Sequence, residues 1–243
     1  MTIDPAKIKE VFAKKGYKFD PLFNIVAVRT ELQVPDVFND LMVAIWTVQT
    51  MPAGLSDLDK QKWLKANFFL GKDGKELKLD GDFGANSKFA YDSYLANIGK
   101  EKIKFWTVTS DPGTYYLNNP LSKLGTAVLC PGQYIDSHQI GFHQQKKDHR
   151  ALVQTGGKVK VYRDGDKDNI AEVSAVTETG SFGINVHGAN KGVTTPKVGK
   201  WSAGCVVFAN WIEKECFIDL CETFRKVKNN KFTLNLIEEK DLK

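Results

Sequence analysis

The chain has 243 residues, 42% hydrophobic and 26% charged, enough to bury one core with a smaller accessory unit. That composition excludes low-complexity, collagen-like and disulfide-dense classes. With 34 Lys and Arg against 29 Asp and Glu the net charge is +5, a mild excess that suits an anionic surface yet is ordinary for a soluble protein, so no nucleic-acid partner is expected.

The four cysteines, Cys130, Cys205, Cys216 and Cys221, form no C-x-x-C pair, so a zinc ribbon is not expected and the thiols read as free. No run of 18 apolar residues occurs, so no membrane span is expected. The opening MTIDPAKIKEVFAKKG lacks an apolar h-region and does not read as a signal peptide. The expectation is synthesis in the cytoplasm.

In chain order, residues 5–15 read as a short helix opened by Pro5 and stopped by Gly16, with Ile8, Val11 and Phe12 as its apolar stripe. Phe23–Arg29 and Phe38–Val48 read as strands. Ser56 with Asp59 resembles a capping box for a helix to about Phe69. A Gly- and Asp-rich loop follows, then a helix over Asn86–Ile98 with Phe89, Tyr91, Tyr94, Leu95 and Ile98 for burial. Residues 1–100 are therefore taken as an accessory region.

From residue 101 short β-runs dominate: KFWTVT, TYYL, GTAVLC, ALVQT, VKVYRD, IAEVSAV and FGINVHG. Turn residues punctuate them, and Gly156-Gly157 reads as a hairpin. The acidic run Asp164, Asp166, Asp168 has the alternation of a calcium loop but reads as a polar hairpin tip. Asn210 with Glu213 resembles a second capping box, for a helix with Ile212, Cys216, Leu220 and Phe224 facing inward. FTLNLI (232–237) closes the chain as a strand. The expected fold is mostly β with flanking helices (α+β): a β-sandwich-like domain over 101–243 plus a smaller helical N-terminal part.

Residues 181–210 concentrate the chemistry. A thiol attacks as thiolate and needs a base beside it, and the base needs an orienting group. Cys205 is the candidate nucleophile and His187 the candidate base, 18 residues before it. Gly188 permits a tight path on which a main-chain carbonyl holds the imidazole N–H. Gly204 allows close approach of a substrate carbonyl, with the N–H groups of Gly204 and Cys205 as a candidate oxyanion hole. Ser202 supplies a hydroxyl to backbone or substrate. The loop 189–200 reads as a candidate lid. Of the other histidines, His143 reads as a second polar contact in the same groove and His149 as a solvated loop residue. No H-E-x-x-H occurs, and no metal or cofactor is expected.

Ile184-Asn185-Val186-His187-Gly188 and Ser202-Ala203-Gly204-Cys205, separated by the residues between them, resemble the L,D-transpeptidase signature. These are the cysteine enzymes that cross-link or trim peptidoglycan. In that family a strand-borne His-Gly is followed, after a spacer, by [ST]-H-G-C. More loosely, the β-rich half resembles a divergent phage- or Bacteroidetes-type branch. The resemblance implies Cys205 as acyl-accepting nucleophile, His187 as base, and Gly188, Ser202 and Gly204 as supports. His143, Asn185 and Trp201 are then substrate-binding, and peptidoglycan stem peptides the partner. It also implies action at the cell wall by lysis, injection or another non-classical route, or retention with a virion. Ala203 departs from the motif's histidine, and Val207 from its Asn or Arg, a residue that helps build the acyl-donor site. The segment LDGDFGANSKFAYDSYL, through Asp80, Gly81, Phe83, Gly84 and Ser87, also resembles the turn-plus-helix of small peptidoglycan-binding modules. The competing expectation is a non-catalytic wall-binding or virion-associated structural protein on the same scaffold.

Overall fold

The segment Phe23–Val28 is buried at every position, so the strand it forms, β1 (Phe23–Arg29), has no solvent face. It pairs antiparallel with β2 (Asp40–Thr47), which pairs in turn with β3 (Glu101–Thr109). The structure is a computed structural model that describes residues 3–32 and 34–243; Met1 and Thr2, the start of the segment read for a signal peptide, and Gln33 lie outside it. The remaining strands are β4 (Thr126–Leu129), β5 (Gly132–Phe142), β6 (Arg150–Gln154), β7 (Val159–Asp164), β8 (Thr177–Gly180), β9 (Val186–Gly188), β10 (Val206–Phe208) and β11 (Phe232–Glu238).

Eight strands close into a barrel in the order β1-β11-β5-β6-β9-β10-β3-β2, and β4, β7 and β8 form a separate three-stranded sheet. This corrects the expected β-sandwich with a helical N-terminal part. The reason lies in β1 and β2. They insert between β11 and β3, with β1 parallel to β11, and so pair the two edges a sandwich would leave open.

Local signals set the helices. α1 (Pro5–Lys15) is capped by Asp4, whose carboxylate accepts from the Lys7 N–H, and ends at Gly16 with φ 68°. Its Ile8, Val11 and Phe12 cover the outer face of β1 and β2 at Val26, Val28, Val43 and Ile45. α2 (Asp57–Ala66) carries Ser56 as N-cap, and α3 (Ala85–Leu95) follows the Gly-rich loop. Around these two helices a satellite core gathers Val48, Leu64, Phe69, Leu77, Ala90 and Tyr94. On α3 it is Ser87, Ala90 and Tyr94 that are buried, while Phe89 and Leu95 stand exposed, as does Ile98 in the turn that follows the helix.

Three local readings change. TYYL forms a short helix, α4 (Thr114–Asn118), and IAEVSAV is loop. Gly156-Gly157 is not a hairpin, because β6 belongs to the barrel and β7 to the second sheet. Its glycine serves close approach instead: a Cβ on Gly156 would lie 2.1 Å from the Asp136 carbonyl oxygen.

The last helix, α5 (Trp211–Phe224), is capped by Asn210 as expected. Its buried set is Trp211, Lys214, Phe217, Ile218, Leu220, Cys221 and Phe224, and Ile212 is exposed, so the face is rotated from the one expected. The helix packs on β5, β6, β9 and β10, and its apolar residues join the inward residues of the barrel in one core. Phe217 makes edge contacts with Trp106 at 5.4 Å, and Phe224 stacks on Phe23 at 4.6 Å. Phe217→Ala is therefore expected to cost about 3–5 kcal/mol in urea denaturation. A cost below about 1 kcal/mol would contradict a central place for this ring.

Candidate active site

β9 and β10 are parallel neighbours, with Val186 opposite Val206 and His187 opposite Val207. Side chains alternate across a strand. Val186, Val206 and Phe208 enter the barrel core, while Val207 and the adjacent Cys205 join Ala189 and Phe38 on the opposite face. His187 and Asn185, one residue to either side of Val186, take that outer face too. The ladder thus places Cys205 and His187 on one face of adjacent strands, offset by two residues.

His187 is 2% exposed, and its Nδ1 lies 2.8 Å from the Gly188 carbonyl oxygen. A carbonyl only accepts, so Nδ1 carries the proton and Nε2 keeps a lone pair. Nε2 is buried and has no hydrogen-bond partner among the described residues. Burial, reinforced by the neighbouring His143, holds the imidazole pKa well below the usual histidine value, so the ring is neutral.

Cys205 is also buried, and burial pushes its thiol up to about 11. Sγ donates to the Gly183 carbonyl at 3.4 Å and accepts the Asn185 N–H at 3.4 Å. His187 is not among its hydrogen-bond partners. Two backbone features hold the turn before it. Gly204 has φ 120°, and a Cβ there would lie 2.4 Å from the Ala127 carbonyl oxygen, so only glycine fits. Ser202 is fully buried; its hydroxyl donates to the Cys205 carbonyl at 2.9 Å and accepts the Gly204 N–H at 3.2 Å. The Gly204 N–H, read as an oxyanion donor, is therefore engaged by Ser202.

The other expected site residues divide. His143 stacks on His187 with ring centroids 3.8 Å apart, and its Nδ1 meets Asn185 Nδ2 at 3.1 Å. Asn185 Oδ1 accepts the Gln154 N–H, so this side chain braces β6 and His143 and is not free for a substrate. Trp201 stands 39% exposed and joins none of the ring contacts of the site. Gly188 backs onto α5, where an added Cβ would meet Lys214 and Trp211 at 3.1 Å. The 189–200 loop is stitched down rather than free: the Thr195 N–H donates to the Ala209 carbonyl and the Gly199 N–H to Asp36 Oδ1.

His149 is not a solvated loop residue. Its ring packs 5.4 Å from His187, 5.0 Å from His143 and 4.7 Å from Trp211, with Nε2 buried. The His143 N–H donates to the His149 carbonyl across a tight turn, which brings the two rings together. Lys214, also missed, is fully buried with Nζ 3.7 Å from the Trp211 ring, paired with Glu215 and donating to the Arg150 carbonyl. Its cue in the sequence is spacing: Lys214 lies three residues from Trp211 and Phe217 and four from Ile218, on one face of the helix, although Glu213 and Glu215 flank it. The fourth histidine, His138, lies behind the site, with Nε2 on the Ile184 carbonyl at 2.8 Å.

Beside the Cys205 turn lies a cavity of about 220 Å³, lined among others by Tyr116, Arg163, Phe182, Ile184 and Ala203. Arg163 in it pairs with Glu178 and lies over the Phe182 ring. The three clustered histidines do not converge as a metal site; the metal-competent group among the described residues is Asp166, Asp168 and Glu172. No helix among the described residues is long and apolar enough to cross a membrane. No protein-family model, curated protein or solved structure matches the chain.

Burial lowers His138, His143 and His149 from the ordinary 6.5 to about 4. The unfolded chain then binds more protons between those values. Stability is present in full above about pH 6.5 and is lost as pH falls toward about 4. A urea midpoint that declines over this window, with a shallower decline in His138→Gln, is the expected result. A flat profile would contradict the neutral buried cluster.

Proposed function

We propose that the protein is a cysteine-dependent acyl-transfer enzyme acting on peptidoglycan stem peptides, with Cys205 as nucleophile and His187 as base. The observation that carries this reading is the buried, unpartnered Nε2 of His187, oriented by a backbone carbonyl on the same face as Cys205. A neutral imidazole and a protonated thiol mean that no ion pair is preformed, so proton transfer accompanies attack. In this mechanism substrate displaces Sγ from the Gly183 carbonyl and the thiol turns toward Nε2. Nε2 takes the proton as Sγ bonds to the substrate carbonyl carbon. Collapse of the tetrahedral adduct breaks the C–N bond, and the imidazolium returns the proton to the leaving amine. An incoming amine completes transpeptidation; water completes carboxypeptidase or endopeptidase action. The cavity at Ala203, two residues before Cys205, is the place we assign to the acyl donor, where a donor carboxylate would compete with Glu178 for Arg163.

One observation favours a second reading, a non-catalytic wall-binding or virion-associated protein on the same scaffold. The Cys205 thiol is satisfied by Gly183 and Asn185 rather than by His187.

Labelling by a carbapenem or other acylating probe distinguishes the two. Wild type is expected to acylate at Cys205, Cys205→Ser to lose the label, and His187→Gln to acylate about 10²–10⁴-fold more slowly. Label retained in Cys205→Ser, or muropeptides bound but unchanged by mass spectrometry, would remove the enzymatic reading.

A further inference from the structure

Between β8, in the three-stranded sheet, and β9, in the barrel, residues 181–185 cross without regular secondary structure. The two groups that hold the Cys205 thiol both lie in this strap. The Gly183 carbonyl accepts from Sγ at 3.4 Å, and the Asn185 N–H donates to Sγ at 3.4 Å. Gly183 is the exposed midpoint of the strap. Its φ is 72°, and a Cβ there would meet nothing within 4 Å, so side-chain packing does not hold it. The Gly183 carbonyl is therefore fixed through its neighbours in the chain.

Gln154, the last residue of β6, acts on those neighbours from both sides. Its Oε1 accepts the Phe182 N–H at 3.1 Å and the Ile184 N–H at 3.0 Å. Its Nε2 donates to the Gly180 carbonyl at 2.9 Å and to the Gly157 carbonyl at 3.0 Å. A side-chain amide offers two acceptor lone pairs and two donor hydrogens. Here all of them are used, which fixes which end of the amide carries the oxygen. The Gln154 N–H adds a bond to Asn185 Oδ1 at 2.8 Å. The residue is 6% exposed, so water does not readily replace it as a partner for these backbone groups.

We propose that Gln154 is a positioning residue: it clamps the 181–185 strap on either side of Gly183 and thereby holds the Cys205 thiol turned away from His187. It acts through the backbone of the strap, whose Gly183 carbonyl and Asn185 N–H are the groups that meet Sγ. Turning the thiol toward Nε2 then requires the strap to shift. Phe182 and Ile184, whose N–H groups the amide holds, also line the cavity at Ala203, so the same clamp sets that wall. That the thiol is a nucleophile rests on the acyl-transfer reading; that it is held does not.

The test is alkylation of the full chain by iodoacetamide, followed cysteine by cysteine by mass spectrometry. Cys221, 0% exposed on α5, reports global unfolding in the same sample. Gln154→Leu removes all four side-chain bonds and keeps the volume close. It is expected to speed alkylation of Cys205 by about tenfold or more while Cys221 stays at its wild-type rate, because orphaned backbone groups favour local opening of the strap. Gln154→Glu keeps an acceptor for the Phe182 and Ile184 N–H groups but loses the donor to Gly157 and Gly180. Its Cys205 rate is expected to fall between the two, and it decides the matter should the leucine variant not fold. A Cys205 rate unchanged in the variants, or rising only in step with Cys221, would overturn the proposal. Iodoacetamide alkylates a thiol whether or not it is catalytic, so this outcome is separate from the carbapenem label that tests acyl transfer.

Discussion

Three residues of β9 lie beside three of β10 in parallel register, and the placing of Cys205 and His187 on one face follows from that short ladder. Val186, Val206 and Phe208 are drawn into the barrel core, and Cys205 and His187 are turned outward as a consequence. A slip of one residue would exchange the two faces and bury the wrong set. The register is held from both sides: β9 also pairs with β6, and β10 with β3. Gly204 and Ser202 then bring the chain into β10 at an angle that no other residue at 204 would allow.

Polar groups on that outer face are held in a dry environment. The imidazoles stay neutral and the thiol protonated for the same reason, the cost of charge without water. A backbone carbonyl, not a carboxylate, orients His187. Close by, α5 supports the site from inside with a buried cation, Lys214, whose partner Glu215 also joins Arg150. Breaking one member of such a network leaves an uncompensated buried charge, so Lys214 and Glu215 belong together structurally.

Barrel closure joins this site to both ends of the chain. β1 and β11 pair across more than 200 residues of sequence, and α5 between β10 and β11 fills the core they enclose. The parallel pairing makes the N-terminal strands part of the same hydrogen-bonded cylinder that carries Cys205.

Much of this was written locally. Asp4, Ser56 and Asn210 cap their helices, because a side-chain oxygen three residues from a free N–H acts without tertiary help. The runs around Val26, Val161 and Leu234 are strands because β-branched and apolar residues favour a pleated, buried surface. His187, Gly188, Ser202, Gly204 and Cys205 were legible as one constellation, and the carbonyl behind His187 follows from its neighbour Gly188. What only the tertiary structure decided was partnership. Gly156-Gly157 joins two sheets instead of closing a hairpin, TYYL coils, and His149 folds back onto His187. Asn185 is spent on bracing, Trp201 stands apart, and β1 and β2 close a barrel. Local propensity acts over a few residues, whereas strand partners and burial are set by contacts between segments far apart in the chain.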